Sequence, residues 1–281
     1  MTLFEAALLG FVQALTEFLP VSSSGHLQLF RDLLGVQVEG GLLFDLVLHF
    51  GTLVAVFIVY RERIAELLRS IGGGLRQLGG GLRAALEASE ALRYALLLGV
   101  ALVPTGVLGL LISGLIKSDL YTVRVVGILL IINGFLLLSI RWAPSSEGRG
   151  STSWLSVHGI GVREAFLIGL VQGLAVVPGI SRSGSTIVAA IFVGAARPRA
   201  AEFSFFLSIP TILGALTLEF LRGYSGESVA PWGHYAVGAA ISLIFGVIAL
   251  RMLLKFLAEA KLWIFAPWCW VAGLVALFWP L

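Results

Sequence analysis

The chain has 281 residues, of which 58% are hydrophobic and 12% are charged, and its mean hydropathy is +0.98. A soluble domain carries about twice that charged fraction, so the composition excludes an ordinary water-soluble protein and predicts an integral membrane protein. The net charge of +3 comes mostly from basic residues between apolar stretches, which favours a role in membrane topology over nucleic-acid binding, and the single Cys269 excludes an internal disulfide framework.

The first apolar stretch, at about residues 3–34, is interrupted in its middle. Residues 13–26 read Q-A-L-T-E-F-L-P-V-S-S-S-G-H, so an acid, three serines, a glycine and a histidine lie close together. Irregular backbone at membrane depth is tolerated only where it is buried in protein or lines a wet cavity. We therefore predict a re-entrant helix–loop–helix hairpin in place of a simple span.

Three membrane crossings are predicted next, at about residues 42–60, 94–113 and 123–140. The linker 61–93 carries six arginines, and its Leu and Ile residues recur at roughly helical spacing. This pattern predicts a cytoplasmic amphipathic helix, which the glycine runs of the linker weaken. Asp45 and His49 share one face of the first crossing. Asp45 lies at its end, where solvation at the interface is the alternative to a role in a site.

The second half repeats this order after a flexible joint. A broken apolar stretch at about 164–196 contains Q-G-L-A-V-V-P-G-I-S-R-S-G-S-T over residues 172–186, which predicts a second re-entrant hairpin. Three further crossings follow at about 203–222, 234–254 and 262–280. The predicted fold class is therefore all-α and integral to the membrane, with six transmembrane helices and two re-entrant hairpins in a single domain.

The basic residues predict how the crossings are oriented. Arginine excess places the linker 61–93 in the cytoplasm. Counting crossings then puts the loops 114–122 and 223–233 outside and the segments 141–163 and 255–261 inside, in agreement with their charges. Both termini are expected outside, with the first hairpin entering from the outer face and the second from the inner face.

A shift of 159 residues aligns the two halves without gaps. The polar and glycine matches include Glu5 with Glu164, Gly10 with Gly169, Gln13 with Gln172, Ser22 with Ser181, Ser24 with Ser183 and Gly25 with Gly184. Three crossings separate the copies, and an odd number inverts the second copy in the membrane. The sequence therefore predicts an inverted-topology repeat, residues 1–140 and 160–281, with its site between broken helices near the bilayer midplane.

The two broken loops predict an anion site. Serine is a good N-cap, glycine lets a ligand approach the backbone, and a helix N-terminus offers N–H groups and positive charge that suit a phosphate. Arg182 adds a guanidinium fork. Ordinary Pro/Gly kinks are the alternative, but they leave Glu17, His26 and Arg182 unexplained at membrane depth. The candidate phosphate-binding residues are Ser22, Ser24, Gly25, Ser181, Ser183, Gly184 and Thr186.

Glu17, Ser23 and His26 add chemistry to the first copy. Glu17 is a candidate general base or acid, or a metal ligand, with an ion pair to Arg182 as the alternative. Ser23 is the best candidate nucleophile. His26 lies within one turn of Ser23 and could take its proton or bind phosphate, with an ordinary hydrogen-bonded histidine as the alternative. We predict that Ser23 and Arg182 face each other across one phosphate-sized gap.

Residues 13–26, together with P-G-I-S-R-S-G over residues 178–184, resemble the two signature motifs of the bacterial undecaprenyl-diphosphate phosphatases, the bacitracin-resistance family. The segments F-D-L-V-L-H-F-G-T over 44–52 and E-F-S-F-F-L-S-I-P over 202–210 are also similar to that family, and the resemblance spans the whole chain. Many members carry a second acid where this chain has Gln13. That departure leaves Glu17 as the principal acid and Gln13 in a supporting place.

The resemblance implies hydrolysis of a C55 polyprenyl diphosphate to the monophosphate, which recycles the lipid carrier for cell-wall synthesis. It implies that Glu17, Ser23, His26 and Arg182 form the catalytic set, toward the periplasmic side of the bacterial plasma membrane. Attack by Ser23 and direct attack by water with Glu17 as base are both open. The family also implies a divalent cation, Mg²⁺ or Ca²⁺, shared between Glu17 and the diphosphate, and no organic cofactor.

The rival function is transport of a lipid phosphate or an anion, because inverted repeats with broken helices are also a transporter design. Glu17, Ser23 and His26 together favour catalysis, since a transporter needs no nucleophile. The expected partners are the lipid diphosphate and the bilayer, with no nucleic acid. The oligomeric state stays open, a homodimer included.

Overall fold

The protein is built of helices. The computed structural model describes residues 1–36, 41–75, 79–115, 122–143, 156–222, 231–259 and 261–278. Within these ranges the chain forms twelve α-helices, and the β-structure they contain is one isolated bridge between Val157 and Ile160. Most of the predicted loops 114–122, 141–163 and 223–233 lies outside the described residues.

The helices follow the predicted order of broken and continuous segments. They are α1 (Leu3–Phe18), α2 (Ser23–Leu34), α3 (Gly41–Val59), α4 (Arg61–Leu75), α5 (Leu82–Ala88), α6 (Glu90–Leu115), α7 (Val123–Ser139), α8 (Val162–Leu174), α9 (Arg182–Phe192), α10 (Arg197–Arg222), α11 (Trp232–Ala258) and α12 (Ala266–Phe278). The pairs α1–α2 and α8–α9 are the two predicted hairpins, each broken by a short loop.

Long apolar helices make this a multi-pass membrane protein. Four described helical stretches are long and apolar enough to cross a bilayer, and they coincide with four of the six predicted crossings: Glu90–Ile112, Val123–Trp142, Arg197–Leu218 and Trp232–Ala258. The bent pair α3–α4 makes a fifth if it counts as one span, and the stretch predicted at 262–280 is a shorter apolar helix, Leu262–Phe278. Val103, Leu110 and Phe135 are more than half exposed, as suits side chains that lipid covers.

The chain bends by 76° between α3 and α4. At this point the apolar run of α3 gives way to the charged sequence Arg61, Glu62 and Arg63. The helices α4 and α5 are the amphipathic segment predicted for the linker. The second glycine run, at residues 79–81, precedes α5. Because glycine has a low helix propensity, this run ends the possibility of one continuous helix.

Small residues bring the two halves of the chain into close contact. A Cβ on Gly10 of α1 would lie 2.5 Å from the carbonyl oxygen of Gly238 on α11, and a Cβ on Gly169 of α8 would lie 2.1 Å from that of Ala101 on α6. Each contact also carries a hydroxyl bond, from Ser242 to the Gly10 carbonyl at 3.0 Å and from Thr105 to the Gly169 carbonyl at 2.9 Å. Close helix approach over small residues is typical of membrane proteins.

Ion pairs connect helices beyond these apolar contacts. Arg31 of α2 forms a two-point pair with Asp45 of α3. Glu202 of α10 is buried and accepts from Arg63 at 3.1 Å and from Arg199 at 2.9 Å. Asp45 is therefore paired within the protein, although solvation at the interface was the alternative for it. The Arg31–Asp45 pair also fixes α3 against the helix that follows the first loop.

Candidate active site

The first loop, at residues 19–22, is held in a strained turn. Its last residue, Ser22, caps α2 by accepting from the Gly25 N–H at 3.4 Å. Ser22 has a φ of 74°, a left-handed value that costs a non-glycine residue about 1–3 kcal/mol. Three further bonds of 2.8–3.1 Å hold the turn: the Ser22 carbonyl accepts from the His26 ring and N–H, and Oγ accepts from the Gly179 N–H.

The second loop, at residues 175–181, ends in the same way. Ser181 caps α9 by accepting from the Gly184 N–H at 3.1 Å. Gly179 has a φ of 103°, and a Cβ there would lie 2.6 Å from the Cβ of Leu129 on α7. Both the backbone conformation and the available space therefore require glycine at this position.

Each loop delivers one reactive side chain to the start of the next helix. Ser23 is the first residue of α2, and Arg182 is the first residue of α9. The predicted capping serines fix both helix starts. Ser24, the next residue of α2, is exposed.

The two loops pack directly against each other. A Cβ on Gly184 would lie 2.9 Å from the Cβ of Pro20, and a Cβ on Gly25 would lie 3.1 Å from the backbone of the second loop. The fully buried Asn133 of α7 joins them. Its Nδ2 donates to the Pro20 carbonyl at 2.8 Å, and its Oδ1 accepts from the Ser181 N–H at 3.0 Å. One side chain thus holds both loops in register.

Replacing Asn133 by leucine is expected to lower the thermal stability of the protein. The change leaves the Pro20 carbonyl and the Ser181 N–H buried without their partner, and each such group costs about 1–3 kcal/mol. Thermal unfolding in detergent measures the effect, with Ile132→Ala on the exposed face of α7 as the control. An Asn133→Leu protein that melts with the wild type would contradict the bridging role.

Glu17 lies at the centre of the site. Its Oε1 accepts from the Arg182 guanidinium, and its Oε2 accepts from the Ser23 hydroxyl at 2.6 Å and from Gln13 at 3.1 Å. The His49 Nε2 of α3 lies 3.5 Å from the same Oε2. The ion pair with Arg182, considered above as an alternative, is present. Ser23 and Arg182 stand on either side of the Glu17 carboxylate, so that carboxylate fills the gap expected for a phosphate.

The space beside this carboxylate is small. A cavity of about 10 Å³ is bounded by the carboxylate and by α3, α9 and α10. It is lined in part by Thr52, Arg182, Ser183, Ser204 and Ser208. Such a volume holds about one water molecule. The Glu17 side chain is largely buried in its ion pair, whereas Arg182 and Ser23 stay partly exposed.

The described hydrogen bonds of the His26 ring go to Ser22 and Trp268. The ring is buried, with Nδ1 at 2.8 Å from the Ser22 carbonyl, while its Nε2 accepts from the indole N–H of Trp268 at 2.9 Å. A carbonyl only accepts and an indole only donates, so the ring is neutral and carries its proton on Nδ1. Both nitrogens are engaged, so His26 braces the Ser22 turn, and the carboxylate in contact with Ser23 is that of Glu17.

The remaining candidates lie around the second loop. Ser183 donates to the backbone carbonyl of Glu17 at 3.1 Å, and its hydroxyl lies 3.2 Å from that of Ser181. The Thr186 hydroxyl is buried and bonds to carbonyls of its own helix and to Ser204 of α10. Ser183 therefore links the second loop to the end of α1, whereas the Thr186 hydroxyl bonds within α9 and to α10.

Sequence reasoning missed two residues of this site and left a third without a role. A lone amide inside an apolar span is itself a signal, and it would have identified Asn133. Trp268 gave no signal among the seven tryptophans. His49 was placed on one face with Asp45, but its approach to Glu17 depends on how α1 and α3 pack.

Comparisons with known proteins give a consistent family. A family model described as bacitracin resistance protein BacA matches residues 6–275. A protein of Desulfosudis oleivorans named undecaprenyl-diphosphatase is 40% identical over 277 residues, covering 98% of this chain and 97% of that protein. Proteins with the same name from Alkaliphilus metalliredigens and Halothermothrix orenii are 38% identical over 285 residues and 34% identical over 277 residues. They cover 100% and 98% of this chain and 100% and 97% of their own lengths.

Proposed function

This chain belongs to the bacitracin resistance protein BacA family, and from that premise we infer that it is an undecaprenyl-diphosphatase. The reaction removes the terminal phosphate of undecaprenyl diphosphate and returns undecaprenyl phosphate as a lipid carrier for cell-wall synthesis. The observation that carries the assignment to residues is the Glu17 carboxylate, which accepts from Ser23 and from Arg182 at once.

Ser23 is the proposed nucleophile and Glu17 its base. The 2.6 Å bond between them aligns the proton for transfer from Ser23 Oγ to Glu17 Oε2. As the Oγ–P bond forms, the P–O bond to undecaprenyl phosphate breaks, and water then hydrolyses the phosphoserine to inorganic phosphate. The alternative is direct attack by water with Glu17 as base, which needs no Ser23 nucleophile.

Positive charge from Arg182 and from two helix N-termini supports this chemistry. Ser23 and Arg182 begin α2 and α9, and both side chains bond to the Glu17 carboxylate, so the positive ends of both helices lie beside it. Phosphoryl transfer is catalysed mainly by positioning and by stabilising charge on the transferring group. The proposed phosphate ligands are therefore the Arg182 guanidinium and the capped helix starts, with Ser22, Gly25, Ser181, Ser183 and Gly184.

We propose that substrate binding separates Glu17 from Arg182, because the carboxylate occupies the guanidinium that a phosphate would bind. An incoming phosphate offers Arg182 a bidentate partner in place of the carboxylate. The exchange frees one oxygen of Glu17 and brings the phosphorus next to Ser23. In the absence of substrate, the Glu17 carboxylate thus binds the guanidinium that the phosphate would bind.

The protein side chains do not fit a resident divalent cation. Both oxygens of Glu17 are occupied by N–H and O–H donors, one of them cationic. Gln13 stands where a second carboxylate would be needed. Among the described residues there is no group of three His, Cys, Asp or Glu side chains that could hold a metal. A Mg²⁺ or Ca²⁺ ion would therefore be brought by the diphosphate.

The finer architecture proposed for the protein has six crossings, two re-entrant hairpins and an inverted repeat of residues 1–140 and 160–281. The matching contacts of Gly10 and Gly169 support it, because these positions correspond in the repeat and each packs against a helix of the other half. The charge pattern supports both termini outside, and membership of the family supports a bacterial plasma-membrane location with the site toward the periplasm.

Phosphate release by purified protein in detergent tests the function. Undecaprenyl diphosphate is the substrate, and inorganic phosphate is measured over time. We expect multiple turnovers by the wild type and a loss of about 10²–10⁴-fold in Glu17→Gln, because general base catalysis contributes that much. A transporter of lipid phosphate would release none, since micelles offer no second compartment, and a wild-type protein without turnover would contradict the function.

A further inference from the structure

A histidine from α3 completes the surroundings of Glu17. The His49 Nε2 lies 3.5 Å from Glu17 Oε2, the oxygen that also accepts from Ser23. We propose that His49 is a positioning residue for the reaction. It directs an N–H at Oε2 and keeps that oxygen against the Ser23 hydroxyl. The inference rests on the proposed function, since it assigns His49 a part in the same reaction.

The hydrogen bonds of the ring decide where its protons lie. Nδ1 is 2.8 Å from the Asp45 carbonyl, which only accepts, so Nδ1 carries a proton. A carboxylate oxygen also only accepts, so an attractive contact with Glu17 requires an N–H on Nε2 as well. The distance of 3.5 Å is long for a hydrogen bond. The short bond to this atom therefore comes from Ser23, and we expect the His49 contact to tighten into a full hydrogen bond when the carboxylate shifts.

The ring is anchored to the helix of the nucleophile. Asp45 lies one turn before His49 and forms the two-point ion pair with Arg31 of α2. The same helix α2 begins at Ser23. The Arg31–Asp45 pair therefore fixes α3 relative to the helix that begins at Ser23. The bond from Nδ1 to the Asp45 carbonyl then fixes the orientation of the His49 ring on α3.

The other partners of Glu17 cannot replace this contact. Gln13 lies one turn earlier on the same helix, so it moves together with Glu17. Arg182 binds the other oxygen, Oε1, and is the partner that an incoming phosphate takes over. After that exchange, Ser23 and His49 are the described partners that hold the carboxylate from other helices, and Ser23 gives up its bond when it attacks phosphorus. Its loss should therefore affect the chemical step more than substrate binding.

Steady-state kinetics of two substitutions test the role. We expect His49→Leu to lower kcat by about 10–100-fold, the range for a lost hydrogen bond to a charged group, with KM changed by less than about threefold. His49→Gln keeps an N–H donor of similar reach, and we expect kcat within about threefold of the wild type. His234→Leu, on the first turn of α11, is the matched control and should keep wild-type kinetics.

A double-mutant cycle separates positioning from a structural role. If His49 acts through Glu17, then His49→Leu should slow the Glu17→Gln enzyme by less than about twofold. A single His49→Leu enzyme with wild-type kcat would overturn the proposal. So would a His49→Gln enzyme as slow as His49→Leu, or equal slowing in both backgrounds. Elution as a single detergent-solubilised species checks folding, and a wild-type protein without turnover contradicts the proposed function and not the role of His49.

Discussion

Replacing Arg182 by alanine is expected to lower the turnover of undecaprenyl diphosphate by at least about 10³-fold. A single arginine on a transferring phosphoryl group contributes about 10³–10⁵ to the rate. Arg182 begins α9 and already binds the Glu17 carboxylate, so it occupies the position from which it would bind the substrate. The loss should appear mainly in kcat, because the guanidinium stabilises charge that develops during transfer.

Arg182→Lys refines this expectation. Lysine keeps the charge but loses the planar fork, so we expect an activity between those of alanine and the wild type. Arg61→Ala, at the exposed start of α4, is the control and should retain wild-type turnover. Because Arg182→Ala leaves the largely buried Glu17 side chain without its cationic partner, thermal unfolding in detergent and elution as a single species check that this variant is folded. A folded Arg182→Ala protein with normal kinetics would refute the site.

Replacing Ser23 by alanine is expected to lower turnover by at least about 10³-fold if the reaction proceeds through phosphoserine, because loss of a nucleophile removes the covalent route entirely. The Ser23 hydroxyl is the group that Glu17 Oε2 accepts from at 2.6 Å. Ser24→Ala is the matched control, since Ser24 is the exposed neighbour on the same helix turn. It should keep most of the activity.

Acid quenching provides a second, independent measurement. Substrate labelled in its terminal phosphate should leave label on the wild-type protein, none on Ser23→Ala, and a wild-type amount on Ser24→Ala. Near-normal turnover by Ser23→Ala would contradict the covalent route and would favour direct attack by water with Glu17 as base.

Sequence reasoning predicted much of the fold and the parts of the site that depend on local structure. Ser22 and Ser181 cap the helices that begin at Ser23 and Arg182. These caps could be predicted because capping involves only neighbouring residues. The long apolar spans follow from length and composition. At the crossing predicted at 262–280, the described residues form a 3₁₀ turn and an apolar helix over Leu262–Phe278, and residues 279–280 lie outside the described ranges.

The rest depends on how distant helices rotate and pack. His26 was predicted within one turn of Ser23 as its possible base. In the structure, its Nε2 accepts from Trp268, which is 242 residues away in the chain. No periodicity in either helix fixes that contact. The same holds for His49, whose approach to Glu17 is set by the packing of α3 against α1. Local patterns thus predict which residues enter the site, whereas tertiary packing decides their partners.

The distance along the chain between Glu17 and Arg182 has a consequence for biosynthesis. These partners are 165 residues apart. At about 5–20 residues per second, ribosomes need roughly 10 to 30 s to synthesise the intervening chain. During that time the first hairpin has its acidic side chain without the arginine that neutralises it. Nascent chains should therefore hold this hairpin near the insertion machinery or the membrane surface until the second half arrives, and a fragment ending before α8 should be degraded.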